Sequence, residues 1–397
     1  MAAPAAPDCS PGYGEPLWLG RAAADPRGDA ALQAWRECLE QTPDGSVYLD
    51  PDLVLALPPP EGGTPSVYAR WRRDTAGAGR LECLAALVRK TVRLQPIPGL
   101  PWRVVLHGQR LLGNQLLGDQ GEASAQAFVR ELIRWLSEGG PDAACVLFED
   151  LEVDGPLWQA LANAGRDRRV LVVYPGVPQP HHWIEFPDPP AAYWQQMSPK
   201  TRANLRRRAR KGRPVLTRVC RPDAVAAFLE QAHEISRRSW QAKRLGVRIH
   251  NSPEERHFFE ALAARGALRS YLLEQEGRPA AFLVGVQWKD TFVFEETGYD
   301  LGLAGVSPGT VLFVRLLEDL VAQDPPRRFD FGSGDGEHKR LFANRQTLSG
   351  PVLLVRRRWP VAPALWAVQA RGRLVQGVRA ALKRLRLQTR LRQRYRR

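Results

Sequence analysis

No stretch of this 397-residue chain approaches the ~18 consecutive apolar residues that a membrane-spanning helix needs. Residues 1–10 have neither the basic start nor the apolar core of a secretion signal, so a cytoplasmic protein is expected. Cysteine is scarce: Cys9, Cys38, Cys83, Cys145 and Cys220 lie far apart, are odd in number and form no Cys-x-x-Cys pair. That excludes a disulfide scaffold and leaves core thiols, with no metal expected. The 33 prolines and 34 glycines are scattered between periodic segments, which removes collagen-like and wholly disordered classes. Acid is missing from one end: the last acidic residue is Glu337, and 17 Lys or Arg follow it. Taking those 17 from the net charge of +15 leaves −2 for residues 1–337. The basicity therefore describes a tail and its partner, not the fold.

What is present is ordinary globular composition, 44% apolar and 25% charged, with length for two domains. Helical periodicity at 32–39 and 125–136 alternates with apolar runs at 102–106, 144–148 and 170–174, a pattern of α/β layering. Proline-rich breaks fall at 58–65 and 175–190, and the second marks the expected domain boundary. The expected divisions are 1–195, 196–355 and a basic tail, 356–397.

Past the boundary, Ser198 and Pro199 fit a helix cap and first turn, Gly212 ends that helix, and residues 198–213 hold eight basic and no acidic residues. The pattern predicts helices over 222–243 and over 253–265, the latter capped by Ser252. Three strand-like runs, 268–275, 279–288 and 291–299, have almost no connecting chain and are joined at Glu276-Gly277 and Lys289-Asp290, which predicts an antiparallel meander. Ser307-Pro308-Gly309-Thr310 then opens a helix with Leu312, Leu316, Leu317, Leu320 and Val321 on one face. A strand at 328–331, a short helix at 337–342 and a strand at 352–355 close the domain.

Along this order stand Ser239-Trp240, Glu276-Gly277-Arg278-Pro279-Ala280-Ala281, Gly298-Tyr299-Asp300, Ser307-Pro308-Gly309, Phe329-Asp330-Phe331-Gly332 and Gly334-Asp335-Gly336-Glu337-His338-Lys339. Wording and order resemble the GNAT acyltransferases, specifically the subgroup that includes acetyltransferases encoded with cellulose and exopolysaccharide synthesis and is related to Fem-type peptidoglycan aminoacyltransferases. The resemblance is specific from Met197 to Phe342; the first half matches in layout, including Asp154-Gly155-Pro156-Leu157 and the proline linker. It implies an α/β (α+β) fold of two GNAT-like halves in tandem, each a mixed sheet with flanking helices. The first half is then degenerate, and the second binds the acyl donor.

The resemblance puts the diphosphate turn of an acyl-CoA donor at Ser307, Gly309 and Thr310. Elementary chemistry agrees: Ser307 is expected to cap, Pro308 suits a first helical turn, and Gly309 lets a phosphate approach free amides at the positive end of the helix dipole. The usual Arg or Gln followed by Gly-x-Gly or Gly-x-Ala is absent here. In the glycine-rich turn, Asp335, His338 and Lys339 supply groups for proton transfer or oxyanion binding. The family usually has Tyr at the position of His338, which implies a substituted general acid with an imidazole near pKa ~6.5.

A proton acceptor is expected on the strand before the donor turn, where Glu296 follows Glu295 and alternation brings one of the two to the cleft unless a bulge intervenes. Asp300 and Asp330 are further candidates. Trp240 lines the acceptor cleft or ends its helix in the core. The basic helix, with Arg202 and Arg206, holds an anionic acceptor or forms a solvated cationic face. Residues 356–397 combine 14 basic residues with Trp359, Leu365, Trp366, Val368 and Leu374, a composition suited to an anionic membrane surface, to RNA or to docking on the domain.

Together these features point to a bacterial-type acyltransferase moving acetyl or a related acyl group from acyl-CoA to an amine or hydroxyl, on a saccharide or envelope precursor. It would lie in the cytoplasm or at the inner face of the membrane, with no nucleic acid as its expected partner. The alternatives are tRNA-dependent aminoacyl transfer of the Fem type and a degenerate scaffold held at a membrane.

Overall fold

The computed structural model describes residues 17–19, 29–56, 65–73, 79–96, 103–139, 143–239, 241–242, 246–358, 362–371 and 374. The chain forms two compact units, Met1–Gln179 with Leu348–Arg397, and Pro180–Thr347.

In the first unit, β1 (Leu17–Leu19), α1 (Asp29–Gln41), α2 (Pro51–Ala56), β2 (Ser66–Arg73), β3 (Gly79–Leu94), β4 (Val104–Leu111), β5 (Leu117–Gly118), α3 (Glu122–Glu138), β6 (Cys145–Glu152), α4 (Pro156–Ala164) and β7 (Val170–Val173) follow in order. Strands β2, β3 and β4 are antiparallel neighbours, and β6 lies parallel to β4. Residues of β14 (Arg345–Arg356) pair antiparallel with both β6 and β7. The parallel pairing needs Gly108, because a Cβ there would come within 2.0 Å of the Cys145 carbonyl oxygen. One face of the sheet buries Tyr68, Phe128, Leu132, Phe148 and Leu161 with α3 and α4. Cys38, Cys83 and Cys145 are buried core thiols, and burial pushes Cys83 and Cys145 up to about 12.

In the second unit, β8 (Gln179–Glu185), α5 (Pro199–Ala209), β9 (Val215–Val219), α6 (Pro222–Arg238), α7 (Pro253–Ala264), β10 (Ser270–Gln275), β11 (Arg278–Trp288), β12 (Thr291–Tyr299), α8 (Pro308–Gln323), β13 (Arg328–Ser333) and α9 (Glu337–Phe342) build one mixed sheet. Its order is β8-β13-β12-β11-β10-β9, with only the β12–β13 pair parallel. The two-residue turns are as expected: Gln275 pairs with Arg278 and Trp288 with Thr291, while Glu276 and Lys289 take the positive φ that such hairpins demand. Ser198 and Ser252 accept the Thr201 and Glu255 amides, capping α5 and α7. Leu312, Leu316, Leu317 and Leu320 of α8 are fully buried against Phe292, Phe329 and Phe331.

Both units repeat one order: an antiparallel meander, a helix, a strand parallel to the last meander strand, and a second helix. Three expectations need correction. The proline-rich segment contains β8, a paired strand, because alternate residues His182 and Ile184 meet the core. Helix α6 stops at Arg238, where the Ser239 hydroxyl donates to the Ser236 carbonyl. The closing strand runs from Arg345 to Arg356, well beyond its apolar centre.

Candidate active site

Strands β12 and β13 pair only from Thr291 with Arg328 to Val293 with Asp330. Both continue without pairing to each other, leaving a wedge between parallel strands. In the β11–β12 register, Val284 faces Glu296 and Gly285 faces Phe294, so Glu295 is the bulged residue.

From the end of β12 a 3₁₀ turn, Leu301–Val306, leads into α8. Ser307 occupies the cap position with φ 59°, its amide donating to Ala304 O, but its side chain makes no cap bond, contrary to expectation. A capping serine normally has extended backbone, and the left-handed form aims the hydroxyl elsewhere. The Gly309 and Thr310 amides lie in the first turn, which lacks intrahelical acceptors and carries no acidic residue. The corresponding helix of the first unit, α3, differs. There Asp119 accepts from the Gly121 amide at 2.9 Å and the Ser124 hydroxyl at 2.6 Å, and Glu122 stands in the first turn. The Ser124 bond, then the Gly121 amide, holds that carboxyl below the usual range, so an anion already occupies this helix start.

His338 of α9 reaches into the wedge. Its ring stacks on Phe313 at 5.0 Å and lies 5.8 Å from Phe294 of β12 and 6.1 Å from Phe331 of β13. Its buried Nε2 has no hydrogen-bond partner among the described residues. Burial, with the charges of Lys339 and His182 added, pushes the imidazole down to about 4, well below the ordinary value expected for it. At neutral pH it is therefore uncharged and acts as a hydrogen-bonding group, not a cation. Lys339 is buried and donates to Gly332 O at 3.1 Å and Ser333 O at 2.6 Å, tying down the end of β13. Asp335 is paired with Arg340 at 2.5 Å.

The carboxylates divide by partner. Glu296 meets Arg248 at 2.6 Å, Glu295 is exposed, and Asp300 caps the 3₁₀ turn at the Gly302 amide while meeting Arg238 at 2.9 Å. Asp330 stands where the strands part. It accepts from His181 Nε2 at 2.6 Å and the Gly332 amide at 2.7 Å, and it meets Arg328 at 2.9 Å. Burial alone would raise this carboxyl, but the His181 bond, the His181 and Arg328 charges and the Gly332 amide together hold it below the usual carboxylate range. Sequence reasoning missed His181. Its available signal was a His-His-Trp run inside a segment read as linker.

Arg206 is exposed on α5, and Arg202 reaches the Trp194 carbonyl at 3.5 Å; neither converges on the wedge through a described contact. Trp240 lies outside the described residues. Of the tail, residues 362–371 are helical, and Leu365 and Val368 are buried with Val92, Leu106, Leu353 and Val355 of the first unit, whereas Trp366 is 52% exposed. Docking on the domain thus uses part of the apolar stripe. Among the described residues, no helix is long and apolar enough to cross a membrane, and no group of three His, Cys, Asp or Glu could hold a metal ion.

Residues 199–340 match the family model described as acetyltransferase (GNAT) domain, and the mixed sheet with its flanking helices is the GNAT fold. No curated protein matches the sequence. Among solved structures, FemX is similar with a TM-score of 0.54 at 12% identity, over 84% of this chain and 97% of that one. The C-terminal domain of a putative lysylphosphatidylglycerol synthetase from Agrobacterium fabrum gives a TM-score of 0.48 at 14% identity, over 85% and 95% of the two chains. A tandem GNAT protein from the clavulanic acid biosynthesis pathway gives 0.46 at 13%, over 87% and 98%. At such identities the likeness to FemX is one of fold.

Proposed function

We propose that the protein transfers an acyl group, acetyl in the first instance, from acyl-CoA to an amine or hydroxyl on a saccharide or cell-envelope precursor. The donor is held by the second unit. The observation that carries this reading is a conjunction: parallel strands that part after three residue pairs, a helix start with no side-chain cap and no acid in its first turn, and a buried imidazole nitrogen beside the parted strands with no hydrogen-bond partner among the described residues. The first unit repeats the fold with an aspartate on the equivalent helix start, and we read it as the degenerate half.

Bound in the wedge, the donor supplies an activated acyl carbon. Gly309 and Thr310 hold its diphosphate through backbone amides, with Ser307 shaping the turn. Glu296 takes the proton of the attacking nitrogen or oxygen, and Arg248, at 2.6 Å, orients that carboxylate. His338, neutral and with its proton on Nε2, hydrogen-bonds the sulfur as the C–S bond breaks and the new acyl bond forms. The proton lost by the nucleophile ends on the departing thiol. Asp335 and Lys339 hold the turn that carries His338. The acceptor's approach is assigned to Asp330, which stands where the strands part, with Arg202 and Arg206 supplying positive charge from α5. Contact with a membrane's inner face is assigned to the basic tail.

Calorimetric titration with acetyl-CoA and longer acyl-CoAs tests this reading. Gly309→Trp should abolish binding by filling the diphosphate turn, while retained affinity in that variant, or no binding by the native protein, would sink it. The second reading, a donor carried on tRNA, is favoured by the cations of α5 and the turn after it: Lys200, Arg206, Arg208, Arg210 and Lys211 have no acidic partner among the described residues. Its sign would be RNA affinity that falls steeply with salt.

A further inference from the structure

Strand β8 carries a second histidine beside β13, opposite the Phe331–Gly332 stretch of the strand that bounds the wedge. His182 is 4% exposed, and its Nε2 is buried without a hydrogen-bond partner among the described residues, as is the Nε2 of His338. Such orphaned nitrogens are costly in a folded protein unless something fills them. The local register explains the placement. Trp183 pairs with Asp330 and His181 with Ser333, so Phe331 and Gly332 together face His182, and β13 bulges there with Gly332 at φ 68°. Alternation along β8 sends His181 to Asp330 on one side of the sheet and leaves His182, like Ile184, on the side of the aromatic core.

The groups around His182 are mostly positive or hydrogen-bond donating. Burial first, then the Lys339 ammonium, His181 and Arg340, favour its neutral form, with Asp335 the opposing charge. Asp335 is itself engaged with Arg340, and the Lys339 ammonium sits on the Gly332 and Ser333 carbonyls at the same bulge. His182 is also among the groups that act on His338. Two neutral imidazoles beside a buried ammonium make a poor site for a cation and a good one for an atom gaining negative charge.

We infer that His182 is a further catalytic residue, which with His338 forms a two-imidazole cradle for the sulfur of the leaving thiolate. This rests on the acyl-CoA reading above and adds to it a residue and a role. Both imidazoles donate a hydrogen bond from Nε2 and neither gains nor loses a proton. As the acyl carbon bonds to the nucleophile and the C–S electron pair moves to sulfur, the two N–H groups stabilise that pair until the nucleophile's proton reaches it.

The test uses coenzyme A with its free thiol, which needs no acceptor. Calorimetry in two buffers of different ionisation enthalpy at mildly alkaline pH counts protons released on binding. The native protein is expected to release a proton fraction as the thiol ionises in the cradle, His182→Phe to lose most of that release, and His182→Gln, which keeps an N–H, to restore part of it. Affinity in both variants should stay within about tenfold of native, the effect of one hydrogen bond. Equal proton release by native and His182→Phe at retained affinity would overturn the inference while leaving the donor reading intact. Failure of the folded native protein to bind coenzyme A would overturn both, and circular dichroism separates that case from misfolding. Where His182→Phe fails to fold, equal release by His182→Ala or by His182→Asn and native would decide against the cradle.

Discussion

His338 is held neutral by its surroundings, and this has a consequence for stability as well as chemistry. An imidazole of unperturbed pKa ~6.5 that is pushed to about 4 when folded takes up protons more readily in the unfolded chain between those values. Its contribution is therefore fully present above about pH 6.5 and is lost as pH falls towards 4. The size is on the order of 3 kcal/mol. Urea unfolding at pH 7.5 and 4.5 should show His338→Phe losing less stability on acidification than the native protein; equal losses would contradict this. Asp330 contributes with the opposite chemistry. Replacing it with Asn leaves Arg328 and His181 without their counter-charge in a largely buried setting, at an expected cost of about 3 kcal/mol. Glu296→Gln, at a half-exposed pair, should cost about 1 kcal/mol or less while lowering acyl transfer. Denaturation midpoints of the two variants check the order.

At the scale of elements, capping was the most legible feature. Ser252 accepts the Glu255 amide, and the Glu255 carboxylate accepts the His250 and Asn251 amides, so Ser252→Ala should cost about 1 kcal/mol and loosen the entry to α7. A shift in the thermal midpoint measures it; none would mean that Glu255 alone holds the turn. The meander was equally legible because Glu276-Gly277 and Lys289-Asp290 are local turn chemistry. Strands β2, β8 and β9 were not. Arg70, Arg72 and Arg73 interrupt the apolar pattern of β2, prolines surround β8, and β9 shows an exposed Val215 and mixed burial, so what makes each a strand is its neighbour. Ser307 failed as a cap for a related reason: its backbone angle comes from the 3₁₀ turn before it.

At the scale of the whole molecule, the basic tail and the folded body are separable questions. Residues 362–371 cover Val92, Leu106, Leu353 and Val355, so truncation after residue 358 should expose this apolar patch and destabilise the first unit. Truncation after 374 should leave the thermal midpoint near native while reducing sedimentation with anionic vesicles, and that binding should weaken with salt. Vesicle binding unchanged by the shorter truncation would assign the surface elsewhere. The repeated topology likewise predicts one donor site, not two: acyl-CoA should bind with a stoichiometry near one, because Asp119 already occupies the start of α3.

The sequence by itself determined what depends on near neighbours: the Ser198 and Ser252 caps with their helices, the tight hairpins, the order of elements from β10 to α9 and the excess of basic charge in the tail. It also brought Ser307, Gly309 and His338 forward, since their wording and local order carry the resemblance. Tertiary structure decided what depends on residues far apart in the chain. It put His181 on Asp330 and His182 opposite the bulge of β13, engaged Asp335 and Lys339 in holding a turn, and pushed the His338 imidazole down to about 4 through burial. Those properties come from desolvation and from strand register, and neither is encoded in a spacing that one segment can display.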